Sequence, residues 1–242
     1  MMNRIATIIL SGLALSVGAA GAATIPISGP PYGEAGHKAI LESLYSGVFT
    51  AVGDDFLGSG AAAGIQVLRQ DDFLAPMGVL SVTDGARGSA ADAIWAGGVI
   101  SATAQARYAG HSQRFGFDRG NGFELLFDVQ GSGMNVTGSA SVDLRDDTWR
   151  WVRRKQDNTN TWYSDPLWND DGMDHMVTYR VTGLDTDETV WLLFWEDLPK
   201  CSSDRDYNDL VVEIRALPEP ATLAWTTLGG VVVLFGYRRR LL

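Results

Sequence analysis

Short apolar or alternating runs, separated by turn residues, constrain the fold of this chain most strongly. An alternating run has one face for a core and one for solvent, whereas a wholly apolar run belongs to a central strand covered on both faces. Residues 176–181 alternate, and residues 189–194 are apolar after their first residue. Many such runs, with turn signals between them, predict an all-β fold, an antiparallel and jelly-roll-like β-sandwich. Further predicted strands are 123–129, 136–144 and 210–214, and the turns are 131–133, 169–172 and Gly183.

One segment near the start of the chain has helical periodicity. His37–Tyr45 places Ile40, Leu41 and Leu44 at helical spacing, and Gly47 follows where a helix would stop. We therefore expect one short N-terminal helix beside the sandwich.

The two ends of the chain predict where the protein is found. Residues 1–23 combine Arg4, an apolar run and small residues before a cleavage point, which is typical of a signal peptide; the alternative is an N-terminal anchor. Residues 221–237 are uncharged and mostly apolar, and three arginines follow them. This pattern predicts a short transmembrane helix with its end in the cytoplasm, against the alternative of a buried hairpin. Residues 24–217 would then form one extracytoplasmic domain.

The charge of the chain limits its partners. The sequence has 19 basic and 29 acidic residues, and the two ends hold four of the basic residues but one of the acidic ones. Because nucleic acids and anionic membranes need a positive surface, we expect no nucleic-acid partner. Cys201 is the only cysteine in the sequence, so an internal disulfide is excluded, and no histidine near it in sequence suggests thiol catalysis.

An unusually acidic turn joins the last two predicted strands. A hairpin connection would bring its side chains together, and carboxylates that close repel each other unless a cation lies among them. Oxygen ligands at this spacing favour Ca²⁺ over Mg²⁺, and zinc spacing of His or Cys is absent. The alternative is that Asp and Asn serve only as turn formers. The candidate metal ligands are Glu196, Asp197, Asp204, Asp206, Asn208 and Asp209.

Two other clusters have alternative interpretations. An acidic run before His175 would form a solvated turn or complete the same metal site; it contains Asp165, Asn169, Asp170, Asp171 and Asp174. The aromatic cluster in the Trp-rich segment 149–168 would form part of the core or a platform for sugar rings. It contains Trp149, Trp151, Trp162, Tyr163 and Trp168. Sequence signatures of hydrolases, metalloproteases and phosphate-binding loops are absent, so we expect no enzymatic activity.

The C-terminal segment 218–242 resembles the PEP-CTERM sorting signal. Pro218, Glu219 and Pro220 are followed by the apolar span and by the arginine cluster, which are the three parts of that signal. The resemblance implies a Gram-negative, exopolysaccharide-producing source and export across the inner membrane. It also implies an exosortase-type membrane protease as a partner, which would remove the C-terminal helix and release the protein to the envelope or matrix.

Residues 172–215 resemble a second family, DUF4114. The match lies in Trp195-Glu196-Asp197-Leu198 and in the stretch from Ser203 to Val212 (SDRDYNDLVV). The resemblance implies a β-rich extracellular module that binds Ca²⁺ through the same six residues of the acidic turn. We therefore expect a non-enzymatic, Ca²⁺-stabilised structural or adhesive protein of the cell envelope or exopolysaccharide matrix. The alternative is a lectin or glycan-acting enzyme that uses segment 149–168.

Overall fold

The computed structural model describes residues 25–52, 55–60, 64–70, 81–83, 92–184 and 190–217. These ranges contain one α-helix, α1 (His37–Tyr45), and one 3-10 turn (Pro166–Trp168). The strands in them, in chain order, are β1 Gly47–Val52, β2 Asp55–Gly60, β3 Gln66–Arg69, β4 Ser81–Thr83, β5 Ile94–Ala96, β6 Val99–Ala106, β7 Gln113–Asp118, β8 Phe123–Ser132, β9 Asn135–Thr137, β10 Ser139–Asp143, β11 Thr148–Lys155, β12 Thr161–Tyr163, β13 Met176–Thr182, β14 Val190–Trp195 and β15 Leu210–Leu217.

The strands form two antiparallel sheets. The larger sheet has the order β1-β2-β3-β13-β14-β15-β6-β10, and the smaller has the order β4-β5-β11-β7-β8-β9, with β12 paired to β11. One hydrophobic cluster draws residues from both sheets and lies between them. The prediction of an all-β antiparallel sandwich with one short helix is therefore confirmed.

Tryptophans dominate the core between the sheets. Trp95 and Trp151 of the smaller sheet are buried with Trp191 and Trp195 of β14. The rings of Trp95 and Trp191 meet edge to face, with centroids 5.8 Å apart. Because large aromatic rings bury much apolar surface, this layer fixes how the two sheets face each other.

The other face of the larger sheet is covered as well. Leu192 and Phe194 point away from the tryptophan layer into a second cluster, which includes Ile40 and Leu41 of α1. All six residues of β14 are buried. The sequence prediction of a central strand covered on both faces is thus confirmed for residues 190–194.

One predicted strand is divided in the structure. The prediction of a continuous strand over 136–144 is wrong, because β9 pairs with β8 in one sheet and β10 pairs with β6 in the other. Between them Gly138 has φ +147, and a Cβ there would lie 2.7 Å from the Phe127 ring and 2.9 Å from the carbonyl oxygen of Asp128. Only glycine fits a backbone that approaches so closely, and the chain changes sheets at this point.

Several predictions fall outside the described residues. These are the signal peptide 1–23, the sorting residues Pro218, Glu219 and Pro220, the span 221–237 and the first residue of the predicted strand 189–194. Within the described ranges, no helix has the length and apolar character needed to cross a bilayer.

Candidate metal site in the turn between the last two strands

The turn that carries the predicted ligands closes a hairpin at the centre of the larger sheet. Trp195 at the end of β14 is the cross-strand partner of Leu210 at the start of β15. The connection between them, residues 196–209, is called the acidic turn below. Because the two strands are in register, the first and last residues of the acidic turn lie side by side at its base.

Three carboxylates converge in the acidic turn. Glu196, Asp206 and Asp209 each offer an oxygen atom, and these oxygens lie within 4.8 Å of one another. Glu196 and Asp206 are buried, whereas Asp209 is half-buried. An ion that binds oxygens at about 2.3–2.6 Å can contact atoms spaced up to about 5 Å apart, so one cation can reach all three. The cluster has the geometry to hold a metal ion.

Donors from the turn itself fix the position of Glu196. Its Oε1 accepts a hydrogen bond from the backbone nitrogen of Leu198 at 2.9 Å. Its Oε2 accepts from the hydroxyl of Ser203 at 2.8 Å and from the backbone nitrogen of Arg205 at 2.9 Å. The turn therefore folds around this carboxylate. Oε2 already accepts two hydrogen bonds, whereas Oε1 accepts one and keeps a lone pair for a further partner.

Asp206 places one carboxylate oxygen in the interior without a donor. The residue is 2 % exposed. Its Oδ1 accepts from the backbone nitrogen of Asn208 at 3.2 Å, and its Oδ2 has no hydrogen-bond partner among the described residues. Because an unsatisfied buried polar group costs about 1–3 kcal/mol, a cation or a water at this oxygen would stabilise the folded protein.

Asn208 adds a second buried acceptor. Its Nδ2 donates to Glu34 Oε2 and to the backbone oxygen of Ala35, both at 3.2 Å. Since both partners are acceptors, they determine which end of the amide faces them. Its Oδ1 is then left buried, and no described residue donates to it.

Helix α1 holds the acidic turn from the opposite side. The carbonyl oxygen of Asp206 accepts from His37 Nε2 at 2.9 Å, while His37 Nδ1 lies 2.8 Å from the Tyr179 hydroxyl. A carbonyl can only accept, so Nε2 carries the proton and Nδ1 accepts from Tyr179. Burial lowers the pKa of His37 to about 3, which keeps the imidazole neutral and this tautomer in place.

Crowding and burial change the acidity of the cluster. Burial raises the pKa of Asp206 to about 7 and that of Asp209 to about 9, and it also raises the pKa of Glu196. Neighbouring negative charges add to each of these pKa shifts, with Asp197 the largest such contribution at Asp209. Without a cation, the cluster therefore disfavours its fully ionised form.

Asp197, also predicted as a ligand, has other partners. Its Oδ2 lies 2.9 Å from Arg153 Nη2 and accepts from Gln113 Nε2 at 2.9 Å. Its backbone nitrogen donates to Asp209 Oδ2 at 2.7 Å. The structure places Asp197 beside the three-carboxylate cluster, with its carboxylate turned to the smaller sheet.

Asp204 lies at the surface of the turn. It is exposed, and it is not one of the three carboxylates that converge. Its charge still raises the pKa of Glu196 and Asp206, so it lies within electrostatic reach of the cluster.

Sequence reasoning missed the residues that support the site from elsewhere in the chain. Glu34 orients Asn208, His37 holds the backbone of Asp206, and Arg153 with Gln113 holds Asp197. All four lie more than 40 residues from the acidic turn, and local spacing carries no signal for them.

The second acidic run is satisfied by its own neighbours. Asp171 lies 3.1 Å from His175 Nε2 and accepts from the backbone nitrogen of Lys200 at 2.8 Å. His175 is buried, stacks on Trp162 at 3.8 Å, and its Nδ1 lies 3.1 Å from the carbonyl oxygen of Glu196. This run supports the base of the acidic turn, and none of its members joins the three converging carboxylates.

The aromatic cluster divides between core and surface. Trp149, Trp151 and Trp162 are buried in the core between the sheets, so they cannot stack on an external sugar. Trp168 is 41 % exposed and meets Tyr163 edge to face at 5.4 Å.

Solved structures resemble the chain only in part. A high-affinity mannose-binding lectin of Ralstonia solanacearum is 19% identical, with a TM-score of 0.34 over 52% of this chain and 92% of the lectin. The Chromobacterium violaceum lectin CV2L, solved with alpha-methyl-fucoside, is 16% identical, with a TM-score of 0.36 over 53% of this chain and 98% of the lectin. The C-terminal domain of the Burkholderia cenocepacia lectin BC2L-C is 15% identical, with a TM-score of 0.34 over 52% and 91%.

A protein-family model matches the region of the chain that contains the site. No curated protein matches the chain. A family model matches from before residue 172, where the predicted resemblance begins, and the match includes β11–β14, β15 except its last residue, and the whole acidic turn. Residues 141–216 contain the domain of unknown function DUF4114.

Proposed function

We propose that the protein is an exported, non-enzymatic module that binds Ca²⁺ in the acidic turn and serves a structural or adhesive role in the cell envelope or exopolysaccharide matrix. Glu196, Asp206 and Asp209 would be the ligands, with Asn208 Oδ1 as a neutral fourth oxygen. A bound ion would tie the hairpin of β14 and β15 to α1 and to the segment around Glu34.

The observation that carries this proposal is the oxygen of Asp206 that lies buried without a donor beside two other carboxylates. A turn that served only as a turn would place such an oxygen in solvent or against a backbone nitrogen. A divalent cation satisfies the buried oxygen and removes the repulsion among the three carboxylates at once.

The donor set favours Ca²⁺ over other common ions. Every candidate ligand atom is a hard oxygen, which suits Ca²⁺ and excludes the sulfur and nitrogen sites preferred by zinc. Mg²⁺ keeps several waters in an octahedral shell, and two of the three carboxylates are buried where such waters have little room.

Calorimetric titration of the full chain in mild detergent tests the proposal. We expect Ca²⁺ to bind with a Kd of about 0.1–1 mM, the range of extracellular modules. Asp206→Asn and Asp209→Asn should each weaken binding at least about tenfold, since one charged ligand is lost at nearly constant volume. Asp204→Asn is the matched control: it removes the same charge from the exposed part of the same turn and should weaken binding less than either of these variants. Equal binding by all four proteins would refute the site.

Export and sorting are separate parts of the proposal and need a separate test. The support is the sequence pattern of residues 1–23 and 218–242. In a host with an exosortase, we expect the protein to lose its C-terminal segment and to leave the membrane. Replacing Pro218, Glu219 and Pro220 with alanine should hold the protein in the membrane fraction, and processing at an unchanged rate would contradict the sorting role.

Glycan binding is a second candidate function, supported by the exposed aromatic patch around Trp168. The Arg150 guanidinium lies 4.0 Å from the centre of the Trp168 ring and is held by Asp165 at 2.9 Å, so the ring has a fixed orientation. A flat, fixed and exposed ring can stack on a sugar. Trp168→Ala should reduce retention on an immobilised exopolysaccharide, whereas Tyr32→Ala removes an exposed aromatic residue elsewhere and should not. Equal retention of both variants and the wild type would exclude this patch.

A further inference from the structure

A buried arginine lies next to the candidate metal site. Arg153 belongs to β11 of the smaller sheet, and it is 0 % exposed. Its Nη2 lies 2.9 Å from Asp197 Oδ2, and its Nη1 donates to Asn160 Oδ1 at 2.8 Å. Burial lowers the pKa of Arg153 to about 10, so the side chain keeps its positive charge at neutral pH.

Asp197 connects this arginine to the carboxylate cluster. It follows Glu196 directly in the chain, and its backbone nitrogen donates to Asp209 Oδ2 at 2.7 Å. The negative charges of Asp197, Asp209 and Glu196 all favour the charged form of Arg153. Arg153 therefore interacts electrostatically with two proposed ligands, Glu196 and Asp209, as well as with its direct partner Asp197.

The charged residues around the site form two groups, a neutral ion pair and a cluster of three carboxylates. Asp197 and Arg153 form a buried pair of net zero charge, and Gln113 adds a neutral donor to the same carboxylate oxygen, Oδ2. The three converging carboxylates are left as the group that faces a cation. Without Arg153, Asp197 would add a fourth negative charge at the base of the cluster.

We propose that Arg153 is a positioning residue that sets the affinity of the metal site, by neutralising Asp197 and keeping its carboxylate out of the ligand set. This inference rests on the proposed Ca²⁺ site. Its consequence is a weak site, suited to the high Ca²⁺ concentrations outside a cell and emptied when Ca²⁺ falls.

Variants that change the pair one charge at a time test this inference. Arg153→Met removes the positive charge and exposes Asp197, so we expect Ca²⁺ to bind about tenfold more tightly. Asp197→Asn removes the negative charge and leaves Arg153 near the ion, so binding should weaken about tenfold. The double variant has a neutral pair again, and its Kd should return to within about threefold of the wild-type value.

The opposite signs distinguish an electrostatic role from a merely structural one. If Arg153 only held the turn in place, both single variants would bind Ca²⁺ more weakly and the double variant would bind most weakly of all. Arg153→Gln keeps a hydrogen-bond donor without the charge and should also bind Ca²⁺ more tightly, which covers the case in which Arg153→Met fails to fold. If the wild type binds Ca²⁺ and Arg153→Met binds it equally or more weakly, this inference alone is overturned. If the wild type does not bind Ca²⁺, the proposed function is overturned as well.

Discussion

The two acidic runs of this protein have similar compositions but different surroundings. Residues 165–174 and the acidic turn, residues 196–209, each contain several Asp or Asn residues within a short loop. In the first run the side chains find donors close by, whereas in the second some of them do not. The supply of hydrogen-bond donors, more than the density of acidic residues, therefore distinguishes a turn from a candidate metal site.

Acceptors of residues 165–174 find donors within the run and in the segments packed against it. Asp165 accepts from the backbone nitrogen of Leu167 at 3.0 Å and from Arg150 Nε at 2.9 Å. Asn169 accepts from the backbone nitrogen of Tyr163 at 2.8 Å and donates to the backbone oxygen of Met173 at 2.9 Å. Such local bonds are what Asp and Asn make in ordinary turns, and they need no cation.

The largest effect that we expect from this comparison is at Asn169, which is buried. Asn169→Ala would leave the backbone groups of Tyr163 and Met173 without partners, so we expect a loss of about 3 kcal/mol in the free energy of unfolding. The loss should be the same in EDTA and in Ca²⁺, because the proposed ion lies in the acidic turn and not in this run. Urea denaturation measures it, with exposed Asn121→Ala as the control. A loss that Ca²⁺ reverses would make the two runs alike.

The next effect is the stabilisation of the acidic turn by its ion. At about 2 mM Ca²⁺ and a Kd of ~0.1 mM, binding to the folded state alone adds about 1.8 kcal/mol. For a domain of about 190 residues this raises Tm by about 4–7 °C. In Asp206→Asn the rise should disappear, while the Tm in EDTA should equal or exceed that of the wild type, because a buried unpaired carboxylate is gone. Thermal melts of both proteins, with and without Ca²⁺, measure the two effects, and a lower Tm of Asp206→Asn in EDTA would contradict the cost assigned to that carboxylate.

The pH dependence of the metal-free protein gives a third, smaller effect. In the folded protein the pKa values of Asp206 and Asp209 are raised to about 7 and about 9. The contribution of these two carboxyl groups to the free energy of unfolding is therefore fully present below about pH 4 and is lost as the pH rises through those two values. In EDTA, stability should therefore fall between about pH 5 and pH 9, and Ca²⁺ should remove that fall. The buried His37 titrates with the opposite sign, so the measured quantity is the difference between wild type and Asp206→Asn. An equal slope in both proteins would contradict the raised pKa of Asp206.

Much of the fold could be predicted from the sequence because its signals are local. The bounds of α1 follow from the spacing of Ile40, Leu41 and Leu44, and the burial of β14 on both faces follows from its apolar residues. The split of 136–144 into β9 and β10 was not predicted, since the alternating pattern on both sides of Gly138 is also that of one continuous strand. Only the approach of Phe127 and Asp128 makes that glycine a crossing point.

Only the part of the site that the β14–β15 hairpin brings together could be predicted from the sequence. Register in the hairpin brings Glu196 to Asp209, and the sequence gives both of these residues as candidates. Whether a side chain finds a donor depends on distant residues, and so the sequence did not separate Asp197 from the converging carboxylates. Arg153 decides that case, and it comes from another part of the fold.

The smallest expected effect is at Asp170, an exposed residue between the buried Asn169 and the partly buried Asp171. If acid density alone created a metal site, Asp170→Asn would weaken Ca²⁺ binding about as much as Asp206→Asn does. Because the supply of hydrogen-bond donors determines where an ion binds, we expect no change in Ca²⁺ affinity. The free energy of unfolding should change by less than about 0.5 kcal/mol, as at most exposed positions. Thermal melts and calorimetry in the same buffer measure both quantities. A weakened affinity in Asp170→Asn would place an ion in residues 165–174 and remove the contrast between the two runs.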